Sequence, residues 1–296
     1  MRFLDRLIKP VVALTLLIGI SCTSRPGPTD PGSEPVPTSI QVDVSSVAFS
    51  AVGDSVRVNA TVLDQNGDPV TGAPIAWNSS DPSVIRVNGG LLTATGNGVA
   101  TITVSSGSIT LTFTVTVSQT ATSISLDPDT LTFESLGDTL SLLAAVSDAN
   151  AFPVPGSAVT WASSDETVAT VVDGTVTAVG NGTATVSASV GTITATATIV
   201  VEQIAASVTL SQDSVTFASV SDTLSLTAVV QDAGGTTVSG ASLTWASSDE
   251  TVATVVDGLI TAVGAGTATI SGSVGSVTAT ATVVVEQDVA LSLIHI

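Results

Sequence analysis

This sequence of 296 residues has one cysteine, one histidine, one methionine and no tyrosine, and its only lysine is Lys9. Each shortage excludes something. A lone Cys22 cannot build an internal disulfide framework or a multi-cysteine metal site. His295 is the sole histidine, so zinc sets of His and Cys are excluded. No Ser–His or Ser–Lys nucleophilic pair can form in the body of the chain. Positive charge is scarce, with 6 Lys+Arg against 25 Asp+Glu and a net charge of -19. Nothing here could neutralise a run of phosphates, which excludes nucleic acid as a partner. Charged residues make up only 10% of the chain and hydrophobic ones 44%. That is the balance of a folded chain and not of a disordered acidic tail. Long apolar runs are missing too. The run over residues 11–20 has ten residues, where a membrane-crossing helix needs about 20.

What is present begins with Arg2, Arg6 and Lys9 ahead of that apolar run, then Cys22, then Pro26, Pro28, Pro31, Pro35 and Pro37. A basic start followed by a short apolar stretch is the order of a secretory signal peptide. With Cys22 directly after it, the segment resembles a bacterial lipoprotein signal, in which the cysteine becomes the lipidated first residue. Ser21 suits the small position before cleavage, whereas Gly19 stands where that family prefers Leu. An ordinary secretory signal that contains a cysteine is the alternative. The resemblance implies a signal peptide over 1–22, lipidation of Cys22, a membrane partner through that lipid, and a Pro-rich tether over 23–37. Thr23 after the cysteine leans towards the outer membrane or cell surface, with secretion as the alternative. Stable anchoring takes more than one acyl chain. A Pro-rich tether extends about 3.1 Å per residue.

The rest of the chain is periodic. Trp77, Trp161 and Trp245 are spaced by 84 residues, and so are Phe49, Phe133 and Phe217. Gly96, Gly180 and Gly264 keep the same spacing, as do Gly107, Gly191 and Gly275. The stretch TWASSDETVATVVDG occurs at 160–174 and again at 244–258. A fixed period of this kind marks tandem modules, here 38–119, 120–203 and 204–287.

Each module reads as β. Val56, Val58, Ala60 and Val62 alternate with Arg57, Asn59 and Thr61; Ile193, Ala195, Ala197, Ile199 and Val201 alternate with threonines. Period two with one apolar face predicts antiparallel sheets covered on one side. About seven short strands around one tryptophan predict a two-sheet Greek-key sandwich. The expected fold is all-β, three immunoglobulin-like sandwiches in an elongated array. The structural core is expected around Trp77, Trp161, Trp245, Phe49, Phe133 and Phe217, with Val58, Leu142 and Leu226 facing Ile102, Val186 and Ile270.

The motifs then become specific. Trp-x-Ser-Ser-Asp, Val-Ala-Thr-Val, Asp-Gly and Thr-Ala-Val-Gly-x-Gly-Thr-Ala-Thr, with a closing Thr/Ala/Val strand, resemble the bacterial immunoglobulin-like domain, group 2. Module 1 departs with Asp81-Pro82 where the others have Asp-Glu, and with Asn88-Gly89-Gly90 where they have Val-Asp-Gly. Both changes keep turn chemistry. The resemblance implies a surface module of the kind found in intimin- and invasin-like adhesins, in surface-layer proteins and beside secreted carbohydrate-active enzymes, with no catalysis by the module.

Candidate sites are few. Asp165-Glu166 and Asp249-Glu250 are carboxylate pairs, and paired carboxylates can hydrolyse glycosides. Their fixed offset favours an architectural role, with the Asp capping a short turn. Asp127, Asp129, Asp148, Asp213 and Asp232 fall near strand ends, where junctions are expected. Calcium at those junctions is one reading, and solvated surface acid is the favoured one. Asn66-Gly67 and Gly234-Gly235 are turns. Phe152 is either an exposed ligand contact or a lid on its own domain. The Gly96-Asn97-Gly98 loop lacks the following helix of a phosphate loop.

No catalytic, cofactor-binding or metal residue is assigned, and no small-molecule substrate. The expected function is a non-catalytic surface or secreted stalk that displays or supports adhesion or binding, with a surface glycan or protein as its ligand. The alternative is an accessory arm of a secreted carbohydrate-active enzyme whose catalytic domain lies outside this sequence. Residues 288–296 end in LSLIHI, which resembles adapter read-through, and are expected to be a truncated or artefactual tail.

Overall fold

Alternation along the chain becomes strands wherever Val, Ile and Thr can stand on a half-buried pleated surface. The computed structural model describes residues 34–286. The signal peptide, Cys22, most of the tether and the tail with His295 lie outside them. Among the described residues there is no helix.

Module 1 has nine strands: β1 (Pro37–Val42), β2 (Ser46–Phe49), β3 (Ser55–Arg57), β4 (Ala60–Asp64), β5 (Ala76–Ser79), β6 (Ile85–Asn88), β7 (Leu91–Ala94), β8 (Gly98–Ser106) and β9 (Ile109–Val117). One sheet runs β2-β9-β8-β5; β1 pairs β4, and β3-β7-β6 form a third group. The count exceeds seven because two longer strands are each interrupted. The first breaks between β1 and β2. β1 pairs antiparallel with β4, whereas β2 runs parallel to β9, with Ser46 opposite Thr114 and Phe49 opposite Val117. This parallel pair departs from the all-antiparallel expectation. The second breaks after Val58, whose N–H still donates to Gly90 O at 2.8 Å in the β3–β7 register before β4 turns to pair with β1.

The longest ladder is the β8–β9 hairpin, in register from Gly98↔Val117 to Ser106↔Ile109. Gly107 closes it with φ 57°, a conformation that glycine adopts without strain. Along β9, Phe113, Val115 and Val117 are buried, while Thr110, Thr112, Thr114 and Thr116 face solvent. The buried centre is aliphatic, with Ile85, Leu92, Ile102, Val104 and Val115 sealed among Phe49, Val58 and Phe113. Trp77, on β5, is half-buried and packs on the flank of this cluster.

The other two modules repeat the plan. The sheets Thr130–Phe133, Ile193–Val201, Gly182–Val190, Thr160–Ser163 and Ser214–Phe217, Val277–Val285, Gly266–Val274, Thr244–Ser247 match β2-β9-β8-β5 in order. Phe133 and Phe217 are buried, and Trp161 and Trp245 again pack half-buried on their clusters. Leu142 and Val186 lie in one core, Leu226 and Ile270 in the other.

The chain divides into two compact units. One runs to Ile124 and includes Ala145–Ala158 and Val190–Ile193; the other holds Ser125–Ala144, Val159–Ser189 and the chain from Thr194. Module 2 thus lends one of its ends to the unit that contains module 1.

Candidate functional site

The carboxylate pairs come first, because they are the nearest thing to a catalytic constellation. Each Asp heads a single turn. Asp81 Oδ1 accepts the Ser83 N–H at 2.9 Å and the Ser83 hydroxyl at 2.5 Å, and Asp81 O accepts N–H groups from Val84 and Ile85. Asp165 and Asp249 repeat this with Thr167 and Thr251, at 2.9 Å for each N–H and 2.6 Å for each hydroxyl. The serines before them are also committed. Ser80 Oγ accepts the Thr101 N–H of β8 at 2.9 Å, and Ser79 Oγ accepts the Asp81 N–H at 3.3 Å. The Thr167 hydroxyl, followed by its N–H, holds the Asp165 carboxyl below the ordinary value of 3.8. A group held ionised in this way cannot act as a general acid near neutrality. Glu166 and Glu250 point into solvent. The Ser-Ser-Asp motif is architecture.

The acids near strand ends separate into two kinds. Asp127, Asp129 and Asp213 are exposed. Asp148 and Asp232 are only 2% and 3% exposed, which corrects the reading of them as solvated surface acid. Both sit where one module meets the next, and both are held by N–H donors, four on Asp148 and three on Asp232. Asp148 Oδ1 accepts from Asn150 N and Phe152 N, each at 3.0 Å, within its own loop. Its Oδ2 accepts the Val52 N–H of module 1 at 2.9 Å and the Gln119 side-chain amide at 2.7 Å. A carboxylate offers about four lone-pair sites, and four are taken. Burial pushes the Asp148 carboxyl up, and the Gln119, Val52, Phe152 and Asn150 bonds more than offset this, so its pKa ends below the ordinary value. In the other compact unit, Asp232 Oδ2 accepts Leu136 N at 3.1 Å and Gln203 Nε2 at 2.9 Å, and its Oδ1 accepts Thr236 N at 2.8 Å. The Gln203 bond is foremost in lowering its pKa.

Gln119 is itself held. Its N–H donates to Asn97 Oδ1 at 2.8 Å, and Asn97 Nδ2 donates to its Oε1 at 2.9 Å. Gln203 and Asn181 form the same reciprocal pair at 2.8 and 3.2 Å. This is the role of the Gly-Asn-Gly loop: Asn97 reads the link, and the glycines give it room. A Cβ on Gly96 would lie 2.7 Å from Ser83 O.

The links have no slack. Ser118 N–H and Thr120 N–H donate to Phe49 O and Ser50 O, and Thr122 N–H donates to Ser147 O of the next module, at 3.0, 2.9 and 2.9 Å. Glu202, Ile204 and Ala206 donate to Phe133 O, Glu134 O and Gln231 O in the same order, at 2.9, 2.9 and 2.8 Å. Module 1 keeps the inner half of the clasp, with Asp64 Oδ1 accepting from Asn66 N and Asp68 N. Pro35 occupies the position equivalent to Gln119.

Two features around the first joint differ from the second. Phe152 is 44% exposed. It does not close over its own domain but lies on Gly53 of module 1, where an added Cβ would meet its ring at 3.0 Å. Asn150 Nδ2 donates to Val52 O at 2.8 Å and to Asp54 Oδ1 at 2.9 Å. Sequence reasoning named Asn97 only as part of the Gly96-Asn97-Gly98 loop and gave neither it nor Gln119 a role. The signal that could have found them is the recurrence of Asn and Gln at Asn181 and Gln203, at the same 84-residue offset.

Among the described residues no group of three or more His, Cys, Asp or Glu side chains converges as a metal-ligand set. At the joints, the chemistry of the donors matters more. N–H groups surround Asp148 and Asp232, and an N–H donor cannot coordinate a cation.

Residues 120–201 match the family described as bacterial Ig-like domain (group 2). No curated protein matches the chain. Among solved structures, domains 1–6 of the surface layer protein SbsC share 21% identity over 87% of this chain, with a TM-score of 0.30; the chain spans 41% of that structure. FdeC, an Escherichia coli adhesin, shares 19% identity over 83% of this chain and 96% of its own, with a TM-score of 0.36. Invasin, a bacterial integrin-binding protein, shares 18% identity over 84% of this chain and 60% of its own, with a TM-score of 0.44.

Proposed function

We propose that the chain is a non-catalytic spacer: Ig-like modules joined in series, exported to the cell surface, anchored through a lipid on Cys22, and displaying or supporting an adhesive or binding function. The observation that carries this reading is the pair of joints. A chain that needed only tethered domains would leave its links free. Here the N–H groups of residues 118, 119, 120 and 122 are all bonded to flanking modules, and a buried carboxylate ties the modules across the link. Holding modules in fixed succession is what projection over a distance requires. The motif carboxylates and serines are spent on turns, which supports the absence of catalysis. The threonine-rich outer faces and the net charge of -19 favour solubility over self-association.

Two measurements test this. Strands rise about 3.3 Å per residue, so each module is on the order of 35–40 Å long and three in series are on the order of 110 Å. Small-angle scattering of the full chain is expected to give a maximum dimension of at least that size; a particle with about half that length sinks the spacer reading. Labelling with palmitate is expected to mark the wild type and not Cys22→Ala. An unlabelled wild type removes the lipid anchor and leaves secretion.

A further inference from the structure

The two joints share the carboxylate clasp but are buttressed differently. At the first, Asn150 adds hydrogen bonds to Val52 O and Asp54 Oδ1, and Phe152 covers Gly53. At the second, Gly234 stands in the place of Asn150 and Thr236 in the place of Phe152. Gly137 is the equivalent of Gly53, and nothing lies within 4 Å of a Cβ built on it. The second joint keeps the Gln203 amide on Asp232 but has no counterpart of the Asn150 amide, and the space an aromatic ring fills at the first is open.

We propose that the joint between modules 2 and 3 is the hinge of the array, and that the joint between modules 1 and 2 is its stiff splice. This goes beyond the spacer reading and holds whether or not the chain carries anything at its far end. The links are equally well bonded at both joints, so length and backbone pairing cannot distinguish them. What differs is the restraint on rocking about the link. The clasps at Asp148 and Asp232 lie beside the link and act as pivots. Asn150 and Phe152 add contacts at Val52 O, Gly53 and Asp54, next to the Val52 N–H that the clasp holds, and so widen the grip and oppose rotation about that pivot. The second joint has only the pivot. Gly234 has room for the missing group: an added Cβ would sit 3.4 Å from Leu136 O and Asp232 Oδ1 and 3.5 Å from Ser135 Cβ, all ordinary contacts.

The test is to read distance distributions by double electron–electron resonance on the full chain carrying Cys22→Ser. Thr112, Thr196 and Thr280 are exposed and equivalent in the three modules. Spin labels at Thr112→Cys and Thr196→Cys span the first joint; labels at Thr196→Cys and Thr280→Cys span the second. The first pair is expected to give the narrower distribution. Transplanting the buttress as Gly234→Asn with Thr236→Phe should narrow the second. Two hydrogen bonds of ordinary net strength shift an open–closed equilibrium by about thirtyfold, so the open population should fall by about that factor. Equal widths for the two pairs, or a broader first pair, overturn the proposal. So does a transplant that folds and leaves the second distribution unchanged. If the transplant does not fold, as judged by circular dichroism, the reverse change decides. Asn150→Gly with Phe152→Thr only removes atoms, and failure to broaden the first distribution overturns the proposal equally.

Discussion

Gly90, Gly174 and Gly258 each fill one exacting position. They close the hairpin beside the module's tryptophan with φ between 81° and 83°. A Cβ on Gly174 would lie 2.6 Å from Leu142 O and 3.1 Å from the Trp161 ring. Gly191 also has positive φ, 58°, but nothing lies within 4 Å of its Cβ position. The pair separates backbone strain from crowding. Gly191→Ala is expected to cost about 1–2 kcal/mol, the penalty of a left-handed L-residue. Gly174→Ala should cost that and more, because Leu142 O accepts no closer neighbour without the strand shifting. Urea midpoints of the two variants check the order; equal losses would show that the indole contact is slack. The turn glycines were legible from the sequence, since Asp-Gly between apolar runs is a hairpin signal. The joint residues were not. Gln119 in a link looks like polar filler, and Asp148 looks like surface acid, because the N–H of Val52 that buries it comes from 96 residues away.

At the scale of the element, short turns and strand breaks set the sandwich. The Ser-Ser-Asp turns lie just after Ala76–Ser79 and its equivalents, and each fixes where the next strand starts. Asp165→Ala removes acceptors for the Thr167 N–H and hydroxyl and is expected to lower the unfolding midpoint, as the loss of a capping side chain does. Asp165→Asn keeps an acceptor oxygen and should cost less. Thermal or urea unfolding of both variants checks this, and equal losses would mean that charge rather than capping is what the turn uses. Strand periodicity was readable because threonine and apolar residues alternate over nine positions in Ile109–Val117 and over the first seven of Ile193–Val201. The parallel pairing of Ser46–Phe49 with Ile109–Val117 was not. A four-residue strand carries no mark of its direction, and its sheet is chosen by the break before it. The tryptophans were read as core centre; they sit on its flank because aliphatic residues already fill the middle.

For the molecule as a whole, the buried carboxylates link pH to how modules hold together. Asp148 and Asp232 have folded pKa values below the ordinary 3.8. Their stabilisation is therefore complete above about 3.8 and is lost as pH falls through the folded values. Asp54 faces the first joint through Asn150 and adds a second acid there. Scattering on the full chain is expected to give an unchanged profile from neutral pH down to about 4, then loosening at the joints. A profile that loosens well above that range would remove the carboxylates as the cause. Chelators and added calcium are expected to leave the profile unaltered, because N–H groups occupy the carboxylate oxygens; a calcium-dependent change would overturn that.

The joints also explain why the link keeps one length from module to module. Bonds at separations of 22, 29 and 96 residues recur unchanged from one joint to the next. An extra residue within the link, between Ser118 and Thr122, would turn the alternation of bonded N–H groups to the wrong side, whereas one at an exposed turn such as Gly107 would leave these bonds intact. The heritable piece is therefore not a sandwich with an expendable connector. It is a sandwich together with the grip on its successor, and that grip fixes the length of the link.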